Sequence, residues 1–203
     1  KTYDKETRIE FFKDLNSWAT SQFLHGEQGA LLVASQLASC APTYNAKLYA
    51  ASQTFDEARH VEAFNKYLQQ RLKRSWPIGR ALKGLLDKIL TDPRWDLKFI
   101  GMQVVIEGLA LAAFNAAKES TNDPVFKRML ELIIRDEARH VTFGINYLTD
   151  FVTTLTEEEK LDRAQFAFEA CVVMRDRLIS GEVISRFLDY TPEEAHKIAE
   201  ESE

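Results

Sequence analysis

Glycine and proline are scarce, 8 and 5 in 203 residues. So little turn chemistry excludes collagen-like and low-complexity chains and leaves long uninterrupted elements. Cysteine is nearly absent: Cys40 and Cys171 are the only two, and neither lies in a Cys-x-x-Cys pair. That argues against a disulfide framework and against a thiolate zinc site, and it fits a reducing cytoplasm. Both cysteines sit in apolar, helix-like context and read as core packing. Basic residues are in deficit, with a formal net charge of -5, so there is no footprint for nucleic acid. No apolar run reads as long enough to span a bilayer, and the start shows no signal-peptide pattern. The chain opens at Lys1 with no Met, which leaves the N-terminus open to a preceding segment. Strand-like alternation and linkers are missing as well. The expectation is an all-α cytoplasmic protein without nucleic-acid or membrane partners.

What is present is a 45% hydrophobic chain of a length that suits one domain, residues 1–203. The five prolines punctuate long helical patterns. A first helix is predicted from about 5 to 39, with Phe12, Leu15, Phe23, Ala30 and Val33 recurring at helical spacing. Pro42 ends it, because the residue before proline avoids the helical region. A second helix follows from about 43 to 73, and a short amphipathic crossover from 78 to 90. Asp92-Pro93 and Asp123-Pro124 read as N-cap plus first-turn proline for a third helix to about 120 and a fourth to about 151. Thr156 with three following Glu, and Thr191 with Glu194, are capping signals for accessory C-terminal helices, about 156–203.

One pattern occurs twice. Asp56-Glu57-Ala58-Arg59-His60 returns 80 positions later as Asp136-Glu137-Ala138-Arg139-His140, and Glu27 returns as Glu107. Glu and His three apart project from one helix face and can hold one cation together. A Glu from each of two helices plus a Glu-x-x-His from each of two others is the ligand set of a di-iron or di-manganese site in a helical bundle. The midpoint of Glu27 and Glu57 is Pro42, and that of Glu107 and Glu137 is Asn122. Residues equally far from a hairpin turn lie level on adjacent antiparallel helices, so each hairpin brings its lone Glu beside its Glu-x-x-His. One such stretch alone would read as a salt-bridging surface helix; two matched copies favour a joint buried site. Four carboxylates are neutralised by two divalent ions, and carboxylate with imidazole suits iron or manganese.

The expected metal ligands are therefore Glu27, Glu57, His60, Glu107, Glu137 and His140. Glu57 with His60 would serve one metal and Glu137 with His140 the other, with one or more carboxylates bridging. A metal-bound His usually donates its other ring proton to a carboxylate, so Asp56 is expected to orient His140, and Asp136 to orient His60. Arg59 and Arg139 would pair with these aspartates or with outer carboxylates. His25 falls on a different face and reads as a surface or interface residue, and His196 as solvated. Phe23, Ala30, Leu31, Phe64, Gln103, Ala110, Leu111 and Phe114 lie about one turn from the ligands. They line a substrate pocket or are ordinary bundle core. Gly26, Gly29, Gly101, Gly108 and Gly144 cluster near the ligands and mark either close helix approach or room for a small molecule.

Through Glu27, Glu57-x-x-His60, Glu107 and Glu137-x-x-His140 the chain resembles the ferritin-like di-iron carboxylate superfamily, over about residues 10 to 150. The paired Asp-Glu-Ala-Arg-His is similar to that of multicomponent monooxygenase hydroxylases and, in one copy, acyl-carrier-protein desaturases. The short chain and the run after His140 look like the aldehyde-deformylating oxygenases. Ribonucleotide reductase small subunits keep a Tyr one turn after the first ligand His, where this chain has Phe64. Soluble hydroxylases carry a Thr where Ala110 and Leu111 stand, and arylamine N-oxygenases a seventh ligand, His, where Ile133 stands. The resemblance implies a ferritin-like four-helix bundle with a crossover helix and additional C-terminal helices. It implies an oxygen-activating di-iron oxidoreductase (a monooxygenase or oxidase) acting on a small organic substrate through a peroxo-diferric intermediate. Two iron ions would be the cofactors, with Mn/Fe or Mn/Mn as variants. Dioxygen, an electron-donor reductase or ferredoxin, and a second copy in a homodimer are the implied partners. The alternatives are a ferritin-like ferroxidase or iron-storage protein, and a ribonucleotide-reductase-like oxidase without the usual radical tyrosine. The helices beyond Phe151 exceed a minimal storage bundle and favour the enzyme.

Overall fold

Asp4 opens the first helix by accepting a hydrogen bond from the Thr7 amide at 2.7 Å. This chain start belongs to a computed structural model that describes residues 4–176, 180–187 and 190–201, without the side chains of 176, 196 and 198–201. His196 thus lies outside the described side chains. Among the described residues the chain is all-α.

Helix α1 is Lys5–Cys40 and α2 is Tyr44–Tyr67, prolonged by a π-helical turn Leu68–Leu72. Lys73 stops that turn at φ 54, in the left-handed region. Helix α3, Arg80–Thr91, buries Leu82, Leu85, Leu86 and Ile89 on one face. Then α4 (Trp95–Phe99), a π-helical segment Ile100–Ile106 and α5 (Glu107–Ser120) run on without a break. Helix α6 is Pro124–Val152, capped by the Asp123 carboxylate on the Val125 amide at 2.8 Å. Helices α7 (Glu157–Asp176), α8 (Gly181–Phe187) and α9 (Pro192–Glu201) complete the described chain. The capping boxes form at Thr156–Glu159 and at Thr191–Glu194.

Several expectations need correction. Asp92 is not the N-cap of the third helix: it closes α3 and folds into a turn that accepts the Arg94 amide at 2.8 Å, so the helix begins at Trp95. Phe12 is 53% exposed and is not part of the core stripe. Cys40 and Cys171 are both exposed, on the solvent side of α1 and α7. The expectation of no membrane-length apolar segment also fails. The helical run Trp95–Ser120 is long and apolar enough to cross a membrane by length and composition. In the fold, more than half of its most apolar stretch is buried against protein.

The two hairpins α1–α2 and α5–α6 turn through three residues each, 41–43 and 121–123, centred on Pro42 and Asn122. Helix α2 packs on α6, while α7 lies over α3 and the π-helical segment. The core divides into two apolar clusters. One holds Val33, Leu82, Ile89, Phe99 and Met102; the other holds Phe64, Phe114, Leu130 and Ile133. Each long helix passes from one cluster to the other. The segment between them carries Glu27 on α1, Glu57 and His60 on α2, Glu107 on α5, and Glu137 and His140 on α6.

Candidate metal centre

Six ionisable side chains occupy that layer, and none is more than 5% exposed. Burying so many charges is costly unless something compensates them. Glu107 owes its orientation to the π-helical turn before it. The Glu107 amide bonds back to the Met102 carbonyl, and the wider turn resets the helix face at that residue.

The cluster resolves into two overlapping sets of donors that could each hold a metal ion. One is Glu27, Glu57, His60 and Glu137; the other is Glu57, Glu107, Glu137 and His140. Within each set the donor atoms lie within 4.8 Å of one another. Glu57 and Glu137 belong to both. His60 Nδ1 lies 3.0 Å from Glu137 Oε1, 3.2 Å from Glu27 Oε2 and 3.5 Å from Glu57 Oε2. His140 Nδ1 lies 3.1 Å from Glu57 Oε1 and 3.6 Å from Glu137 Oε2. Several of these contacts are close without hydrogen-bond alignment. Glu57 Oε2, Glu107 Oε2, Glu137 Oε1 and His140 Nδ1 are all buried with no hydrogen-bond partner. Lone pairs gathered at one place and not satisfied by one another suit a cation.

The other ring nitrogens point outward. His60 Nε2 is 3.4 Å from Asp136 Oδ2, and His140 Nε2 is 3.3 Å from Asp56 Oδ2. The pairing is crosswise between α2 and α6. Arg59 reaches both aspartates, Asp56 at 2.5 Å and Asp136 at 3.1 Å. Arg139 does the same, with Asp136 at 2.9 Å and Asp56 at 3.3 Å. Each aspartate therefore joins a buried imidazole to guanidinium groups that are about half exposed, 48% and 51%.

Protons and cations compete for this cluster. Burial, then the Glu137 charge, raises the Glu27 carboxyl well above its ordinary range; burial with Glu137 and Glu57 does the same to Glu107. Burial would raise Glu57 too, but the close imidazoles of His140 and His60 outweigh it and hold Glu57 low. Burial would lower both imidazoles. The carboxylates overcome it, raising His140 to about 11 through Glu137 and Glu57, and raising His60 through Glu137, Glu27 and Glu57.

Beside the carboxylates is an apolar void of about 20 Å³, lined by Phe23, Gly26, Ala30, Ile106, Ala110 and Phe114 with Glu27, Glu107 and Glu137. That is room for one water-sized molecule. Of the expected pocket residues, Phe23, Ala30, Ala110 and Phe114 line it. Phe64 is buried behind Phe23 and Phe114, with ring centroids 5.8 Å from each. Leu31, Leu111 and Gln103 do not line it. The five glycines divide. A methyl at Gly29, Gly101 or Gly144 would collide with Leu86, Ile89 or Gln103 at 2.4, 2.7 or 2.6 Å, whereas Gly26 and Gly108 face open space. His25 bonds the Trp76 carbonyl at 3.0 Å, away from the cluster.

Two neighbours escaped the sequence reading. Gln53 Nε2 donates to Glu107 Oε1 at 2.7 Å and to Glu57 Oε1 at 3.2 Å. Its place one turn before Glu57 was the available signal. Tyr49 stands edge-on to His140, ring centroids 6.5 Å apart, and its phenol is pushed up to about 12 by burial. It opens onto a surface groove of about 590 Å³ shared with Arg139, Phe143 and Tyr147; no sequence signal marked it. Comparison with known protein families and with curated proteins finds no match for this chain.

Proposed function

We propose that the chain is a ferritin-like carboxylate protein that binds two transition-metal ions, iron in the first instance, and acts as a dioxygen-dependent oxidoreductase. The observation that carries this reading is the pair of donor sets sharing Glu57 and Glu137. Glu27 and His60 would complete one position, and Glu107 and His140 the other. Glu57 and Glu137 would be shared between the two positions. The donors are all carboxylate and imidazole, which favours iron or manganese over thiolate-seeking metals.

Bound iron would supply the redox chemistry of dioxygen reduction, with electrons from a reductase or ferredoxin. The remaining roles belong to the chain. Asp136 and Asp56 accept Nε2–H from His60 and His140, fixing the tautomer that presents Nδ1 to the cluster. Arg59 and Arg139 hold those aspartates ionised. Phe23 and Phe114, edge to face at 4.8 Å, keep bulk water from the open side of the carboxylates. Gly26, Ala30 and Ala110 leave space there because they carry little or no side chain. An organic substrate would enter by displacing those two rings, and a homodimer is the assembly this reading carries.

The size of the void favours a second reading. About 20 Å³ admits a diatomic molecule but no organic substrate, which suits iron oxidation and storage, where ferrous ion is itself the substrate. Anaerobic loading with ferrous ion, then stopped-flow mixing with dioxygen under optical and Mössbauer observation, separates them. About two irons per chain and a transient visible absorption whose decay is hastened by an organic substrate support the oxygenase. A ferric core of many irons per chain supports storage. No stoichiometric binding, with Glu57→Ala and Glu137→Ala behaving like the parent, overturns the dimetal site.

A further inference from the structure

The 80-residue repeat breaks in one layer. One turn before the four carboxylates stand Phe23, Gln53, Gln103 and Ile133. Under the offset Phe23 corresponds to Gln103, and Gln53 to Ile133, so an apolar residue is exchanged for an amide in both pairs. Helix direction then sorts them. Phe23 and Ile133 join the apolar cluster of Phe64, on the His60 side. Gln53 and Gln103 meet each other on the His140 side.

The two amides form a chain that ends on Glu107 and, at 3.2 Å, on Glu57 Oε1, the shared carboxylate's oxygen beside His140 Nδ1. Gln103 Nε2 donates to Gln53 Oε1 at 3.2 Å, and Gln53 Nε2 donates to Glu107 Oε1 at 2.7 Å. Both side chains are fully buried, at 0% and 1% exposure. Gln103 is held in turn by α6, which approaches so closely that a methyl on Gly144 would stand 2.6 Å from Gln103 Cβ. Glu107 thus has one oxygen fixed and its other, Oε2, free of partners and buried. Glu27 has no such anchor: among the described hydrogen bonds its partner is the His60 ring.

We infer that the two cation positions are unequal, and that Gln53 is the positioning residue that makes the Glu107–His140 position the tighter one. This rests on the dimetal reading above. A ligand held in place loses less freedom when the cation arrives, and partners that orient ligands typically contribute about 10- to 100-fold in affinity. The Glu27–His60 position meets the amide only through the shared Glu57, and fills second.

The test is anaerobic titration of the metal-free protein with Mn(II), a redox-quiet probe, followed by isothermal calorimetry and by electron paramagnetic resonance. Two resolved steps are expected, an uncoupled Mn(II) signal giving way to a coupled one. Glu107→Gln should remove the tighter step, and Glu27→Gln the weaker. Gln53→Leu should weaken the tight step by about 10- to 100-fold and the other, which it reaches only through the shared Glu57, by clearly less. Gln103→Met, which cuts the chain one link further back and leaves Gln53 in place, should shift the same step by less. Two equal steps in the parent, or a Gln53→Leu protein that folds and loses both steps alike, overturns the inference while leaving the dimetal site intact. A parent that binds no Mn(II) or Fe(II) overturns the site itself.

Discussion

Glu57 and Glu137 stand in both donor sets, whereas Glu27 and Glu107 each stand in one. Isosteric neutralisation should therefore have unequal effects. Glu57→Gln or Glu137→Gln is expected to abolish binding of both metals, and Glu27→Gln to leave about one equivalent, read by metal analysis after desalting. Equal loss in all three would sink the assignment of Glu57 and Glu137 to both positions. The six cluster residues were legible because a short motif recurs with one offset and hairpin geometry turns that offset into height. Their crosswise partners Asp56 and Asp136 were legible for the same reason. Burial of a single small side chain was not. Cys40 follows an apolar run, yet the buried positions there are Leu37 and Ala41, four apart, and Cys40 falls on the outer face of that last turn. Tyr49 escaped because its contact with His140 is set by the packing of α2 on α6, which no local spacing encodes.

Helix lengths and caps were mostly written in the sequence, because proline and Asp or Thr caps act locally. The exceptions are where one local preference meets another. Arg94 draws both oxygens of Asp92, at 3.1 and 2.8 Å, and the helix starts past it. The π-helical turn before Glu107 has no propensity signature; it appears where Gly101 meets Ile89 and Gly144 meets Gln103. Glycines inside helices looked alike in sequence and are opposite in structure. Gly144→Ala must push Gln103 Cβ, which is no flexible tip, so it should destabilise the metal-free protein by about 1–3 kcal/mol. Gly26→Ala meets nothing within 4 Å and removes a helix-interior glycine, so it should be stabilising by up to about 1 kcal/mol. Urea midpoints at constant slope decide both. A Gly26→Ala protein as unstable as Gly144→Ala would mean that α1 approaches its neighbours more closely than the structure has it.

At the scale of the whole molecule, the buried cluster links stability to pH and to cations together. The His60 and His140 imidazoles are raised above the unfolded value of about 6.5. Their contribution to stability is complete below that value and is lost as pH rises toward the folded ones, about 11 for His140. Glu27 and Glu107, also raised, act with the same sign, since the folded state keeps protons that the unfolded chain has already released. Glu57 is lowered, so its contribution is complete above the ordinary carboxylate range and constant in the window that matters. The metal-free protein should therefore lose stability steadily from about pH 6.5 to 8.5. A divalent cation takes the deprotonated ligands, so its affinity rises over the same window. Ligand that binds only the folded state adds stability as the logarithm of one plus the ratio of free ligand to its dissociation constant. The melting temperature with excess Mn(II) should then pull away from that in chelator as pH increases, the gap being widest near pH 8.5. Differential scanning calorimetry at both conditions measures it. Parallel curves would mean that the cluster does not exchange protons for metal, and the six buried groups would then have to be explained as an ion-pair network alone.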